Sequence, residues 1–142
     1  MNWDEYFLTM CETVALKSKD ESTKLGAVIV GQDNEIRTTG YNSFPRGVDD
    51  NVPARQERPL KYTWFEHAER NAIYLAARVG TPLLGCRIYC QWLPCPDCAR
   101  AIISVGISEV IVPTFTVPER WQGSMEISKQ MLGEAHVFVR TG

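Results

Sequence analysis

Two short stretches far apart in the chain, His67-Ala68-Glu69 and Pro94-Cys95-Pro96-Asp97-Cys98, constrain its fold most strongly. His67, Cys95 and Cys98 offer one nitrogen and two sulfur donors, the ligand types that zinc takes in tetrahedral geometry. If one ion holds all three, the two stretches must meet. Three protein ligands leave a fourth position for water. Glu69, two residues past the histidine, is placed to handle a proton there without binding the metal.

The pattern around these stretches puts both at the start of helices. Ala68, Ala72, Ile73, Ala76 and Ala77 give residues 63–79 good helix propensity and a small-residue face, ended by Gly80 and Pro82. Arg87 to Trp92 reads as a strand stopped by Pro94, and residues 95–105 return to helical spacing, closed by Gly106. Helix N-termini lower thiol pKa values and so favour the thiolates that zinc needs. A strand at 109–112, a weaker helix at 119–132 and a strand at 135–139 complete this half. The alternation calls for an α/β sandwich with parallel neighbouring strands.

Upstream, Trp3, Tyr6, Phe7, Met10, Cys11 and Val14 recur on one face of a helix over 3–17, with Asn2 and Glu5 at capping-box spacing. Cys11 on that face reads as a small core residue. Residues 25–30 and 35–40 form a hairpin across the turn residues 31–34. Residues 43–62 hold Pro45, Pro53 and Pro59 and have no apolar period. They read either as a solvated loop or as a functional lid. As a lid, Arg46, Arg55, Arg58 and Lys61 meet an anionic substrate group, since a guanidinium matches phosphate bidentately.

The chain's 142 residues suit one domain, and its net charge of −2 argues against a partner as anionic as a polynucleotide. No apolar run approaches the roughly 18 residues a membrane span needs. Five cysteines and no signal pattern at the N-terminus point to free or metal-bound thiols in a cytoplasmic protein. Cys90 is the rival ligand: with the other three it would close the site as Cys₃His, leaving no open position. No second C-x-x-C pair supports that, so Cys86 and Cys90 read as core thiols. His136 is assigned no role.

The H-x-E…P-C-x-x-C arrangement is the signature of zinc-dependent base deaminases. Further residues narrow it: Trp3-Asp-Glu-Tyr-Phe7, Ser18-Lys-Asp20, Gly26-Ala-Val-Ile-Val30, Gly40-Tyr-Asn42, Pro45-Arg-Gly47, Lys61-Tyr62 and His67 through Ile73. With Pro94 through Ala99 and Gly106 through Ile111, they make residues 3 to about 112 resemble the deoxycytidylate (dCMP) deaminase family of the cytidine deaminase superfamily. The resemblance implies a three-layer α/β/α sandwich around a central mixed five-stranded sheet. It also implies a zinc enzyme turning dCMP into dUMP, assembled as a homo-oligomer, often a hexamer. Activation by dCTP and inhibition by dTTP, with Mg²⁺, come with the likeness. So do Asn42 as a sugar ligand and Ala68 beneath the base. Glu66, Gln91 and Trp92 depart from the family pattern. Gln91 and Trp92 flank the zinc loop, so the pocket is expected to accept or prefer a base modified at C5. Beyond residue 113 the likeness fades. The competing readings are a tRNA or single-stranded DNA deaminase and a catalytically silent zinc-stabilised nucleotide-binding module.

Overall fold

The computed structural model describes residues 1–114 and 118–142. Phe115, Thr116 and Val117, within the stretch where the family likeness fades, lie outside the described residues.

The apolar run Gly26–Val30 forms β1 at the heart of the sheet and is buried along its whole length. With β2 (Ile36–Tyr41), β3 (Arg87–Cys90), β4 (Glu109–Val112) and β5 (Phe138–Thr141) it makes one five-stranded sheet in the order β2-β1-β3-β4-β5. β1 runs antiparallel to β2 and β3, whereas β3, β4 and β5 are mutually parallel. The expected mixed sheet is therefore present. Its two halves reflect their connections: a tight turn joins antiparallel strands, and parallel neighbours need a helical crossover.

Alternation along the strands feeds two cores. Val28, Val30, Tyr89 and Ile111 point to one face, where α1 (Trp3–Ala15) packs Phe7 and Cys11 on them. Ala27, Ile29, Ile88 and Val110 point to the other, beneath α3 (Ala68–Val79), α4 (Pro96–Ser104) and α5 (Glu119–Glu134). A short helix, α2 (Lys61–Trp64), precedes α3.

Four details differ from the pattern reading. α1 has its capping box, Asn2 with Glu5, but Trp3 and Tyr6 at the edge of the apolar stripe are 55% and 42% exposed. The helix expected over 63–79 is broken. Glu66 and Ser43 exchange two backbone hydrogen bonds (2.8 and 3.1 Å), which hold the chain extended just before His67 and force a new helix start at Ala68. Residues 43–62 are partly ordered by a 3-10 turn at Pro53–Gln56 and by α2. The last strand starts at Phe138 rather than 135, because His136 takes a left-handed turn (φ 60°) and Val137 N–H closes onto the Leu132 carbonyl.

Two glycines let the helices sit close enough to the sheet. A Cβ on Gly26 would lie 2.2 Å from the Cys11 carbonyl oxygen, and one on Gly40 would lie 2.3 Å from Ala72 N and 2.4 Å from Ala68 O. The Gly40 contact is with the backbone of α3, which cannot swing away as a side chain can. Gly40→Ala is expected to push α3 off the sheet and cost at least about 1–3 kcal/mol of overpacking strain, read as a lowered urea midpoint. An unchanged midpoint would show that α3 is not seated this tightly.

Candidate metal centre and its pocket

The break at Glu66 and the Pro94 stop after β3 have the same consequence: each makes a candidate ligand the N-cap of a helix. His67 caps α3 and Cys95 caps α4, both with extended backbone and neither with a side-chain capping bond, while Cys98 sits in the first turn of α4. Freed from capping, the ring and the thiols turn towards one another. His67 Nδ1 lies 3.4 Å from Cys95 Sγ and 3.4 Å from Cys98 Sγ, and all three donors fall within 4.8 Å. Zn–S bonds of about 2.3 Å and Zn–N bonds of about 2.0–2.1 Å at tetrahedral angles set an S···N separation of about 3.5 Å. The donor set and its spacing therefore fit zinc.

Among the described residues, His67, Cys95 and Cys98 are the group able to hold such an ion. Cys90 is outside it, wholly buried in the sheet core with its thiol pushed well up by burial. Cys86 is likewise a core thiol, and the buried Cys11 thiol is pushed up to about 12. The fourth position is left to something other than a cysteine of this chain. A hydrogen bond between the Cys95 and Cys98 thiols, with burial opposing, holds Cys95 well below the ordinary thiol range and drives Cys98 upward. A cation bound there would take both as thiolates.

Glu69 is the second residue of α3 and is only 7% exposed. Burial lifts its carboxyl above the usual range, partly offset by the Cys98 hydrogen bond and the His67 charge. It faces a cavity shared with His67, Cys95, Ala68 and Asn42. Trp92 forms part of its wall, and so do Arg58 and Lys61 of the 43–62 segment. Three other expected substrate contacts, Arg46, Arg55 and Gln91, are placed elsewhere. Arg46 is exposed and does not line the cavity. Arg55 lays its guanidinium 3.8 Å over the Trp64 ring and donates to the Asp49 carbonyl. Gln91 accepts from Gly26 N–H at 2.7 Å, stitching the end of β3 to the start of β1. Asn42 is largely committed: it donates to Thr23 O (2.8 Å) and Asp20 Oδ2 (3.3 Å) and accepts from Leu25 N–H (2.8 Å).

Pattern reasoning missed Arg120, Trp121 and Met125, which α5 brings to the same cavity. They carry no ligand spacing, and a helix some twenty residues past the cysteines gives no hint of where it folds back. The Arg-Trp pair opening that helix was the only available signal.

The chain is similar to known proteins. The family profile described as "Cytidine and deoxycytidylate deaminase zinc-binding region" matches residues 1–114. An uncharacterized deaminase in the luxG 3′ region of Aliivibrio fischeri is 42% identical over 139 residues, covering 96% of this chain and 91% of that protein. Human deoxycytidylate deaminase is 39% identical over 116 residues, covering 78% of this chain and 64% of the human protein. The chain thus spans a little under two thirds of the human relative. The crystal structure of dCMP deaminase from the cyanophage S-TIM5 superposes with a TM-score of 0.77 over 98% of this chain and 96% of that one, at 24% identity. That likeness is one of fold.

One wall of the cavity is a buried ion pair. Lys61 and Asp20 are each 5% exposed. Lys61 Nζ sits 3.0 and 2.9 Å from the two Asp20 oxygens and 3.0 Å from Ser22 Oγ. Burial pushes the Asp20 carboxyl up, but Lys61 and the Ser22 and Thr23 N–H groups outweigh it and leave it below its ordinary value. A carboxyl depressed in the folded state stabilises above its unfolded pKa of about 3.9, and that contribution is lost as pH falls through the folded value. Lys61→Met strands the carboxylate and is expected to cost about 3–5 kcal/mol by urea unfolding at pH 7. The variant should also lack the wild-type loss of stability below about pH 4. A cost under about 1 kcal/mol would mean that the pair is solvated rather than buried.

Proposed function

As this chain belongs to the cytidine and deoxycytidylate deaminase zinc-binding family, we propose that it hydrolyses dCMP to dUMP and ammonia. The observation that carries this reading is the convergence of His67, Cys95 and Cys98 with the buried Glu69 carboxylate in one cavity. It is joined by about 40% identity to deoxycytidylate deaminases.

His67, Cys95 and Cys98 hold the zinc, which when bound supplies the Lewis acidity that brings water towards ionisation near neutral pH. Glu69 performs the proton work. It takes one proton from the attacking water and passes it to N3 of the cytosine ring, then takes the second from the new C4 hydroxyl and delivers it to the departing C4 amine as the C–N bond breaks. The water oxygen becomes the C4 carbonyl oxygen of uracil, and ammonia leaves. Burial of Glu69 keeps bulk water from competing for these transfers. Ala68, at the first position of α3, offers a small floor beneath the base, and the remaining lone pair of Asn42 Oδ1 takes the sugar. Arg58 and Arg120 receive the 5′-phosphate. Both line the cavity, whereas Lys61 there is already paired with Asp20. Trp92 leaves the pocket open to a base carrying a methyl or hydroxymethyl group at C5.

Residues 1–142 act as one deaminase domain. A cytoplasmic setting, a homo-oligomer, often a hexamer in this family, and control by dCTP and dTTP with Mg²⁺ belong to the same reading. No helix among the described residues is long and apolar enough to cross a membrane.

Incubation with dCMP should release ammonia, with the absorbance change of uracil formation. Glu69→Ala should keep its zinc and lose about 10²–10⁴ in kcat. No turnover of dCMP or its C5-substituted forms by the zinc-loaded protein would sink the proposal. Arg58→Ala and Arg120→Ala should each raise KM for dCMP about tenfold or more, the scale of a hydrogen bond to a charged group, and leave deoxycytidine unaffected. Equal effects on both substrates would remove the two arginines from the phosphate. A strong preference for plain dCMP over its C5-methyl and C5-hydroxymethyl forms would remove the C5 assignment.

A further inference from the structure

We propose that Arg70 is a positioning residue that clamps the two ligand-bearing helix starts together and thereby sets how tightly the centre holds zinc. Arg70 lies in the first turn of α3, a turn beyond Glu66. Its Nε and Nη2 reach Glu66 Oε1 at 2.6 and 2.5 Å, and that same oxygen accepts the His67 backbone N–H at 2.9 Å. Glu66 thus supplies, from outside the helix, a hydrogen bond to the residue whose own side chain is turned to the metal. The other arm, Nη1, stands 3.8 Å from Asp97 Oδ2. Asp97 lies between Cys95 and Cys98 and is steadied from its far side by Arg100. One guanidinium therefore joins the residue before the histidine to a residue between the cysteines.

The two arms differ in burial. The Arg70 side chain is 23% exposed and that of Glu66 21%, so this arm is largely packed in place, whereas the Asp97 side chain at the other arm is 54% exposed. The centre gathers two thiolates and the carboxylates of Glu66, Glu69 and Asp97 within two helix starts. A bound zinc dication offsets only the thiolates. Arg70 supplies a positive charge between Glu66 and Asp97. A lysine cannot reproduce this, because it lacks the planar fork that grips two partners at once.

The proposal rests on zinc being the bound ion, and its readout is metal retention rather than turnover. Zinc transfer to a colorimetric chelator is measured for the zinc-loaded wild type, Arg70→Lys, Arg70→Met, Asp97→Asn and the Arg70→Met/Asp97→Asn double variant. Thermal midpoints of the zinc-stripped forms are measured alongside. Arg70→Met should weaken zinc binding about 10–100-fold, the scale seen when partners of metal ligands are removed. Arg70→Lys should recover only part of this. The double variant should be no worse than Arg70→Met, since both cut the same link. The zinc-stripped midpoints should stay within about 2 °C of wild type. Zinc affinity within twofold of wild type in Arg70→Met overturns the clamp, as do additive losses in the double variant. Should Arg70→Met fail to fold, Asp97→Asn, at an exposed carboxylate, cuts the same link, and wild-type zinc affinity there overturns the clamp equally. Normal zinc retention without Arg70 refutes the clamp and leaves deamination standing. Tight, Arg70-dependent zinc in a protein inactive on dCMP does the reverse.

Discussion

Everything at this centre depends on two helices starting side by side with their N-caps occupied by ligands instead of capping groups. A helix start presents unpaired N–H groups and the positive end of a dipole, which favours thiolate over thiol. It also leaves the N-cap side chain clear of the helical turns. Cys95 uses both properties and His67 the second, and Cys98 follows Cys95 in the first turn of α4. The sheet makes the adjacency: β3 delivers the chain to Cys95, and α3 lies across β1 and β2 with its start held down at Gly40.

The floor of the pocket and its walls are built differently. The floor, with Ala68, Glu69 and the metal ligands, stands on helix starts fastened to the central sheet. The walls come from the 43–62 segment, the end of β3 and α5. Of these walls, α5 falls beyond the matched family region, whereas the 43–62 segment and the end of β3 lie within it. The acidic net charge disfavours a polynucleotide strand as partner.

Charge placement separates groups that look alike in a line of letters. Four cations stand in residues 43–62, yet Lys61 is buried against Asp20, Arg55 lies on Trp64 and Arg46 is exposed away from the cavity, leaving Arg58 to face it. Glu66 and Glu69 are three residues apart. One is tied to Arg70 and to the His67 backbone, while the other is sealed beside the metal ligands.

The donor types of His67, Cys95 and Cys98, the hairpin, α1 and the parallel strands of the second half could be read from the letters because each rests on local information. Donor type, spacing between donors, apolar period and turn residues are all properties of short segments. What local information misjudged was the length of α3, because the bond pair from Ser43 that breaks it comes from more than twenty residues away. The start of β5 was misjudged for a similar reason, a left-handed turn at a non-glycine residue. Gln91 looked like a pocket residue beside the zinc loop until the pleat turned its amide onto Gly26. Arg120 and Trp121 carried no local mark beyond standing side by side at the start of α5. The candidate donors were therefore marked in two short stretches of the sequence. The shape of the pocket and the partner of each charge were settled only when the helices closed over the sheet, because they depend on which distant segments come to lie within a hydrogen bond's reach.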